Sequence, residues 1–171
     1  MQKSTLKKVV NIEIKRYEIM RTVFVDLDNT LAANNTCDNV EYTKGLYLDK
    51  KPIKIVINAI NYLYKDDNII IISRYTGEDE GRQEKIEWMR KYLPDKMIIN
   101  APFLIKSNDK AKKSSYIMGY AFMNNISPSD IIIIDDKKDI LQDCKAHNIT
   151  SLYPQQVIVE YEEALENDKI K

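Results

Sequence analysis

The stretch Thr22-Val-Phe-Val-Asp-Leu-Asp-Asn-Thr-Leu31 decides how the rest of this 171-residue chain is read. Val23, Phe24 and Val25 form a β-branched and aromatic run of the kind that fills a strand buried on both faces, and two carboxylates, Asp26 and Asp28, follow at once. Like charges two positions apart repel, and taking them out of water costs several kcal/mol unless a cation, hydrogen bonds or an altered pKa compensates. A metal ion at the strand's C-terminal end, where open parallel sheets bind ligands, is the simplest compensation. An Asx-type turn closing an edge strand is the alternative, since Asp, Asn and Thr all form turns.

A second stretch of the same construction weighs against the turn. Ile131-Ile-Ile-Ile-Asp-Asp136 carries four isoleucines, which belong in a central strand, and ends in another acid pair. Two apolar strands that each end in acid read as neighbours sharing one cation.

Between and around these stretches the chain alternates strand and helix signals. The first core strand is expected over about 21–27. Residues 29–51 are polar and irregular or a short hairpin, with Asn34, Asn35, Asp38, Asn39 and Gly45. Pro52 opens a helix whose Ile53, Val56, Ile57, Ile60, Leu63 and Tyr64 recur at helical spacing. Ile69-Ile-Ile-Ile72 is a buried strand with Ser73 and Arg74 at its C-terminal end. After the loop 76–81 a helix turns Ile86, Trp88, Met89 and Leu93 inward and closes at Pro94. A short strand is expected over 97–100 and a loop from Ala101, then a helix from Asp109 with Ile117, Tyr120 and Ala121 on one face. The isoleucine strand, a helix over 139–146, a strand over 149–152 and a helix after Pro154 complete the pattern, and Val9 to Ile14 alternates enough for an extra edge strand. Alternation of this kind predicts an α/β fold: a three-layer, Rossmann-like sandwich on a mainly parallel sheet, in one domain with a core over about 21–165.

Lys plus Arg and Asp plus Glu each number 26, so no whole-surface attraction to nucleic acid or anionic membrane is expected. The apolar runs are too short to span a bilayer and the first residues lack the apolar core of a secretory signal, so the expected location is cytoplasmic. Cys37 and Cys144 are too few for a disulfide framework and are expected to be reduced. His147, the single histidine, excludes a multi-histidine metal site.

Parallel topology brings Asp26, Asp28, Ser73, Arg74, Asp135 and Asp136 to one sheet edge. Four hard oxygen donors without a histidine or thiolate cluster fit magnesium, which keeps several waters and accepts a substrate phosphate.

The residues Asp26-Leu-Asp-Asn-Thr-Leu31 resemble the first motif of the haloacid dehalogenase superfamily of phosphohydrolases, and Ile-Ile-Asp135-Asp136 with Asp139 resembles its fourth. The resemblance covers about 21–152. It implies a magnesium-dependent phosphomonoesterase in which Asp26 is the nucleophile, giving an aspartyl phosphate, and Asp28 the acid and base, a duty suited to a modestly raised pKa. It implies that Asp26 with Asp135 or Asp136 holds the metal, within the set Asp26, Asp28, Asp135 and Asp136 taken as candidate ligands, and that Ser73 is the second-motif hydroxyl that bonds the transferring phosphoryl group. Asn29 and Thr30 are assigned to substrate binding with Arg74. The third-motif lysine falls within Lys106, Lys110, Lys112 and Lys113, with Lys113 preferred and Lys110 in reserve.

Residues 32–51 stand where the family inserts a flap or small cap, here a minimal one that leaves the site open. Ser73-Arg74 with Arg82 and Trp88 is similar to the phosphatase half of polynucleotide kinase and phosphatase enzymes, although there the arginine usually follows a glycine. Gly45-Leu-Tyr-Leu48 leading to Pro52 resembles the small deoxyribonucleotidases. Both imply a phosphorylated small molecule or a nucleic-acid end as substrate, and no membrane partner. Tyr42, Tyr47 and Tyr75 serve either to stack on a base or to pack the flap. A protein that keeps this fold for binding or regulation is the rival reading.

Overall fold

Val23, Phe24 and Val25 have no solvent exposure at all, which is possible only for a strand with neighbours on both edges and layers on both faces. The computed structural model describes residues 20–33 and 41–169. The predicted strand over 9–14, Cys37, and Asn34, Asn35, Asp38 and Asn39 lie outside them.

Five strands, β1 (Thr22–Val25), β2 (Asn68–Tyr75), β3 (Phe103–Lys106), β4 (Ile131–Ile134) and β5 (Thr150–Leu152), form one sheet in the order β3-β2-β1-β4-β5. Every pairing is parallel, and β1 lies in the middle, with Val25 level with Ile71 on one side and Ile134 on the other. The helices are α1 (Lys54–Leu63), α2 (Asp79–Tyr92), α3 (Asp95–Ile98), α4 (Lys113–Met123), α5 (Lys138–Ala146) and α6 (Pro154–Lys169), with a 3-10 turn at Pro128–Asp130.

Alternation along the strands divides the core in two. Val23, Val25, Ile69, Ile71, Ile132 and Ile134 pack against Ile57 and Ile60 of α1, Trp88 and Met89 of α2, and Val157 of α6. Phe24, Ile70, Ile72, Ile131 and Ile133 face the other way, onto Ile117 and Ala121 of α4 and Leu141 and Cys144 of α5. This is the expected three-layer arrangement. Cys144 is a free, buried thiol, and burial pushes its pKa up to about 12. His147 is exposed at the end of α5. No helix among the described residues is long and apolar enough to cross a membrane.

Several expected boundaries differ. Residues 97–100 are not a strand: Met97 and Ile98 belong to the single turn of α3, and the strand comes after Pro102, at Phe103–Lys106. A short apolar run does not distinguish strand from helix, and Asp95 at the first helical position after Pro94 favoured the turn. Pairing with β3 extends β2 to Tyr75, so Ser73 and Arg74 lie within the strand. Asp109 does not open α4; its carboxylate accepts the Ala111 N–H at 2.8 Å in an Asx turn, and the helix starts at Lys113. Pro52 bridges antiparallel to Ala32, the Ile53 N–H donates to the Leu31 carbonyl at 2.7 Å, and α1 starts at Lys54.

Phe24 contacts the rings of Tyr120 and Phe103 edge-on, at 5.5 and 6.0 Å between centroids. Phe24→Ala removes the central side chain of that face, and urea denaturation is expected to show a loss of about 3–5 kcal/mol.

Candidate active site

Where β1 and β4 end, Asp26 and Asp135 emerge side by side. The Asp26 N–H still donates to the Ile134 carbonyl at 2.9 Å, so the strand holds the acid in ladder geometry to its last bond. Beyond it the chain folds back: the N–H groups of Leu31 and Ala32 both donate to the Leu27 carbonyl, and Asn29 takes the left-handed conformation with φ 61°. Asparagine tolerates that region better than most residues, which explains its place here.

One oxygen from each of Asp26, Asp135 and Asp136 lies within 4.8 Å of the others. Asp136 Oδ1 is buried without a protein hydrogen-bond partner, an orphan that a cation would satisfy. Carboxylate oxygens alone make a donor set suited to magnesium. Lys113, the first residue of α4, reaches into the same group. Its ammonium donates to Asp26 Oδ1 and, at 2.7 Å, to Asp135 Oδ2. Of the four lysines considered from sequence, Lys113 is the one at the acids; Lys106 pairs with Glu78 and Lys112 with Asp143.

Burial and the neighbouring acids push Asp26 up to about 6 despite Lys113, and burial also raises Asp135 and Asp136. For Lys113, burial favours the neutral form, but Asp26 and Asp135 outweigh it and hold the ammonium charged.

Asp28 stands outside this group. Its Oδ1 accepts from Lys50 at 2.5 Å, and its Oδ2 accepts from Lys85 and, at 3.1 Å, from Ser73. The expectation of a raised pKa is therefore corrected. Burial would lift it, but Lys85 and then Lys50 outweigh burial and bring Asp28 down to about 2. With both oxygens engaged by ammonium groups, Asp28, expected among the metal ligands, is not part of the three-acid cluster.

Lys50 and Lys85 escaped the sequence reading. Lys85 is wholly buried on α2 and also donates to Ser73 Oγ at 2.8 Å. Tyr47 covers both ammonium groups, its ring centroid 4.5 Å from Lys85 Nζ and 5.0 Å from Lys50 Nζ. Its hydroxyl accepts the Thr76 N–H at 2.7 Å, so of its two proposed uses Tyr47 packs. Glu84 holds the same segment, accepting from the Tyr42 hydroxyl at 2.7 Å and the N–H groups of Gly45 and Tyr47 at 2.6 and 3.2 Å. Trp88 donates its indole N–H to the Lys50 carbonyl at 2.7 Å. Gly81 allows α2 to start this close, since a Cβ there would lie 2.0 Å from the Thr76 carbonyl oxygen.

The remaining expected residues fall around this centre. Ser73 is buried between Asp28 and Lys85. Thr30 is fully buried, its Oγ1 without a protein partner, and the Asn29 side chain bonds Asp136 and favours its charged form. Arg74 donates to the carbonyls of Lys106, Asp109 and Ala111, which anchors the end of β2 to the loop after β3.

No protein-family model matches the sequence, and no curated protein matches it. Solved structures do. A haloacid dehalogenase-like family hydrolase from Xanthomonas campestris superposes with a TM-score of 0.54 at 12% identity, over 78% of this chain and 81% of that one. A chain of the Pnkp1/Rnl/Hen1 complex gives 0.55 at 16% identity, over 80% of this chain but only 46% of its own length. The fold is that of haloacid dehalogenase-like hydrolases.

Because Asp28 is held below its ordinary value of 3.8, its contribution to stability is complete above about pH 5 and is lost as pH falls toward 2. Asp28→Asn leaves two buried ammonium groups without their carboxylate and is expected to cost about 3–5 kcal/mol at pH 7. The gap between the variant and the parent, followed by chemical denaturation, should narrow by about 1 kcal/mol between pH 5 and pH 3.

Proposed function

We propose that this chain is a magnesium-dependent phosphomonoesterase that works through an aspartyl phosphate on Asp26 and takes nucleotide or polynucleotide terminal phosphates. The observation that carries the proposal is the meeting of Asp26 with Asp135, Asp136 and Lys113, residues up to 110 positions apart, at the ligand-binding edge of a parallel sheet.

Asp26, Asp135 and Asp136 are the residues that would hold the cation. Bound there, it supplies charge neutralisation that lets a carboxylate approach a phosphate dianion. Everything else is the work of the chain. Asp26 attacks phosphorus through a carboxylate oxygen, and the bond from phosphorus to the leaving oxygen breaks. Lys113, charged and fixed at Asp26, offsets negative charge on the phosphoryl oxygens, as Ser73 does by hydrogen bonding.

The leaving oxygen takes a proton that the Lys85 ammonium, its pKa lowered by burial, passes through an Asp28 oxygen, and the proton Asp28 gains in the second half returns to Lys85. In the second half Asp28 accepts a proton from water as the hydroxyl attacks phosphorus and restores the Asp26 carboxylate. The low pKa of Asp28 suits this second half, because the group rests as a base.

The segment 41–51, fastened to α2 through Glu84 and Trp88, acts as the flap. The nucleotide substrate class is supported by the likeness of Ser73-Arg74 with Arg82, and of Gly45 to Leu48, to nucleotide and polynucleotide phosphatases. Trp88 no longer contributes to that likeness, since it is buried in the core. Tyr75 is the half-buried aromatic at the strand end on this side.

With magnesium, the purified chain should hydrolyse p-nitrophenyl phosphate, and should prefer mononucleotides or oligonucleotide ends to it. A chelator should abolish turnover and added magnesium restore it. Asp26→Asn should lower kcat by at least about a thousandfold. Acid quenching during turnover should trap phosphate on Asp26. Failure of every phosphate ester tested, with no effect of Asp26→Asn, would leave a binding module.

A further inference from the structure

Beside the reaction centre lies a second basic hollow that the chemistry above does not use. A cavity of about 280 Å³ is lined by Arg74, Lys112, Lys113, Ser114, Lys137, Asp139, Ile140 and Asp143. Lys113 is common to both places: its ammonium engages Asp26 and Asp135, while the residue forms part of the cavity wall.

Two helices begin at this cavity. α4 starts at Lys113 after Lys112, and α5 starts at Lys138 after Lys137; neither has a side-chain cap on its first N–H groups. Both therefore present unsatisfied donors and the positive end of a dipole to one space.

The side chains add to this field. Arg74 is fixed by three backbone carbonyls, which orient the guanidinium without neutralising it, although the exposed Asp109 lies near. Lys112 is paired with Asp143 at 2.6 Å, and Asp143 also accepts from Ser114. Lys137 is exposed and forms no ion pair among the described residues, and its backbone N–H donates to Asp135 Oδ1 at 2.9 Å. With Lys113 already held by Asp26 and Asp135, the three remaining cations against Asp139 and Asp143 leave the lining one positive charge in excess, to which the starts of α4 and α5 add.

We propose that this cavity binds a second phosphate group of the substrate, so that the preferred substrates carry two phosphates, one at Asp26 and one between the starts of α4 and α5. The proposal rests on the phosphomonoesterase reading and narrows its substrate class. A single phosphate ester fills the centre at Asp26 and leaves the basic cavity empty. A second phosphate on the same molecule, whether on a small bisphosphate or in the diester next to a phosphorylated nucleic-acid end, gains Arg74, Lys137 and two sets of helix N–H groups.

The test is calorimetric binding to the full chain carrying Asp26→Asn, with magnesium, so that no probe is consumed. Adenosine 3′,5′-bisphosphate should bind at least about tenfold tighter than adenosine 3′- or 5′-monophosphate, or a short oligonucleotide with a terminal phosphate should show the same advantage. Adding Lys137→Ala and Lys112→Ala, both at exposed side chains, should reduce the advantage to below about threefold, whereas Lys145→Ala, an exposed lysine elsewhere on α5, should keep it.

Equal affinity for one and two phosphates, or an advantage that survives the double substitution, overturns the proposal. Turnover of p-nitrophenyl phosphate is measured separately. A chain that hydrolyses it but shows no such advantage keeps the phosphatase reading and loses this cavity. A chain with a Lys137-dependent advantage and no turnover does the reverse.

Discussion

Carboxylates crowded at the end of a sheet repel one another, and the structure depends on how that repulsion is met. Asp26, Asp135 and Asp136 share one small volume, and Asp28 follows two residues after the first of them. Three buried lysines answer these charges, each from a different element: Lys113 from the start of α4, Lys85 from within α2, and Lys50 from the segment before α1. None of these pairs is cheap, since both partners leave water. They are tolerable because each ammonium reaches at least one further acceptor or an aromatic face: Asp135 for Lys113, Ser73 for Lys85, and the Tyr47 ring for Lys85 and Lys50.

The lysines also divide the acids by their titration. Lys113 does not fully offset burial and the neighbouring acids at Asp26, whose pKa stays raised, while Asp28 with two ammonium groups falls to about 2. Two acids two positions apart thus titrate far apart. A cation at the three-acid cluster would act on Asp26 in the same direction as Lys113, by favouring the carboxylate.

Much of this was legible in the sequence because it is written as periodicity. Val23 to Val25 and Ile131 to Ile134 fixed two central strands, and once the sheet is parallel, Asp26 and Asp135 must share an edge. Lys113 was identifiable as the start of a packed helix face. Lys85 was not, since a lysine between Glu84 and Ile86 in a charged helix reads as solvated. A usable signal was nevertheless present. Lys85 precedes Trp88 by three and Met89 by four, so it lies on the face that those core residues bury. Lys50 offered no such signal, because its burial depends on the flap folding over Trp88, a contact between irregular backbone and helix that no period encodes. The misplaced strand over 97–100 has a similar cause. Its apolar composition suits a strand, but the edge beside β2 was taken by Phe103–Lys106, whose four residues pair with Ile72 to Tyr75.

That pairing links the edge of the sheet to its centre. By drawing β2 out to Tyr75, β3 carries Ser73 and Arg74 in ladder geometry rather than in a loop. Alternation then turns them to opposite faces. Ser73 goes to the side of α2, where Lys85 and Asp28 lie, and Arg74 to the side of α4, where its guanidinium meets the loop 106–111 and the cavity next to Lys113. An arginine directly after the serine therefore cannot serve the same space as the serine. The sequence Ser73-Arg74 sends its hydroxyl to Asp28 and Lys85 and its positive charge to the neighbouring basic hollow.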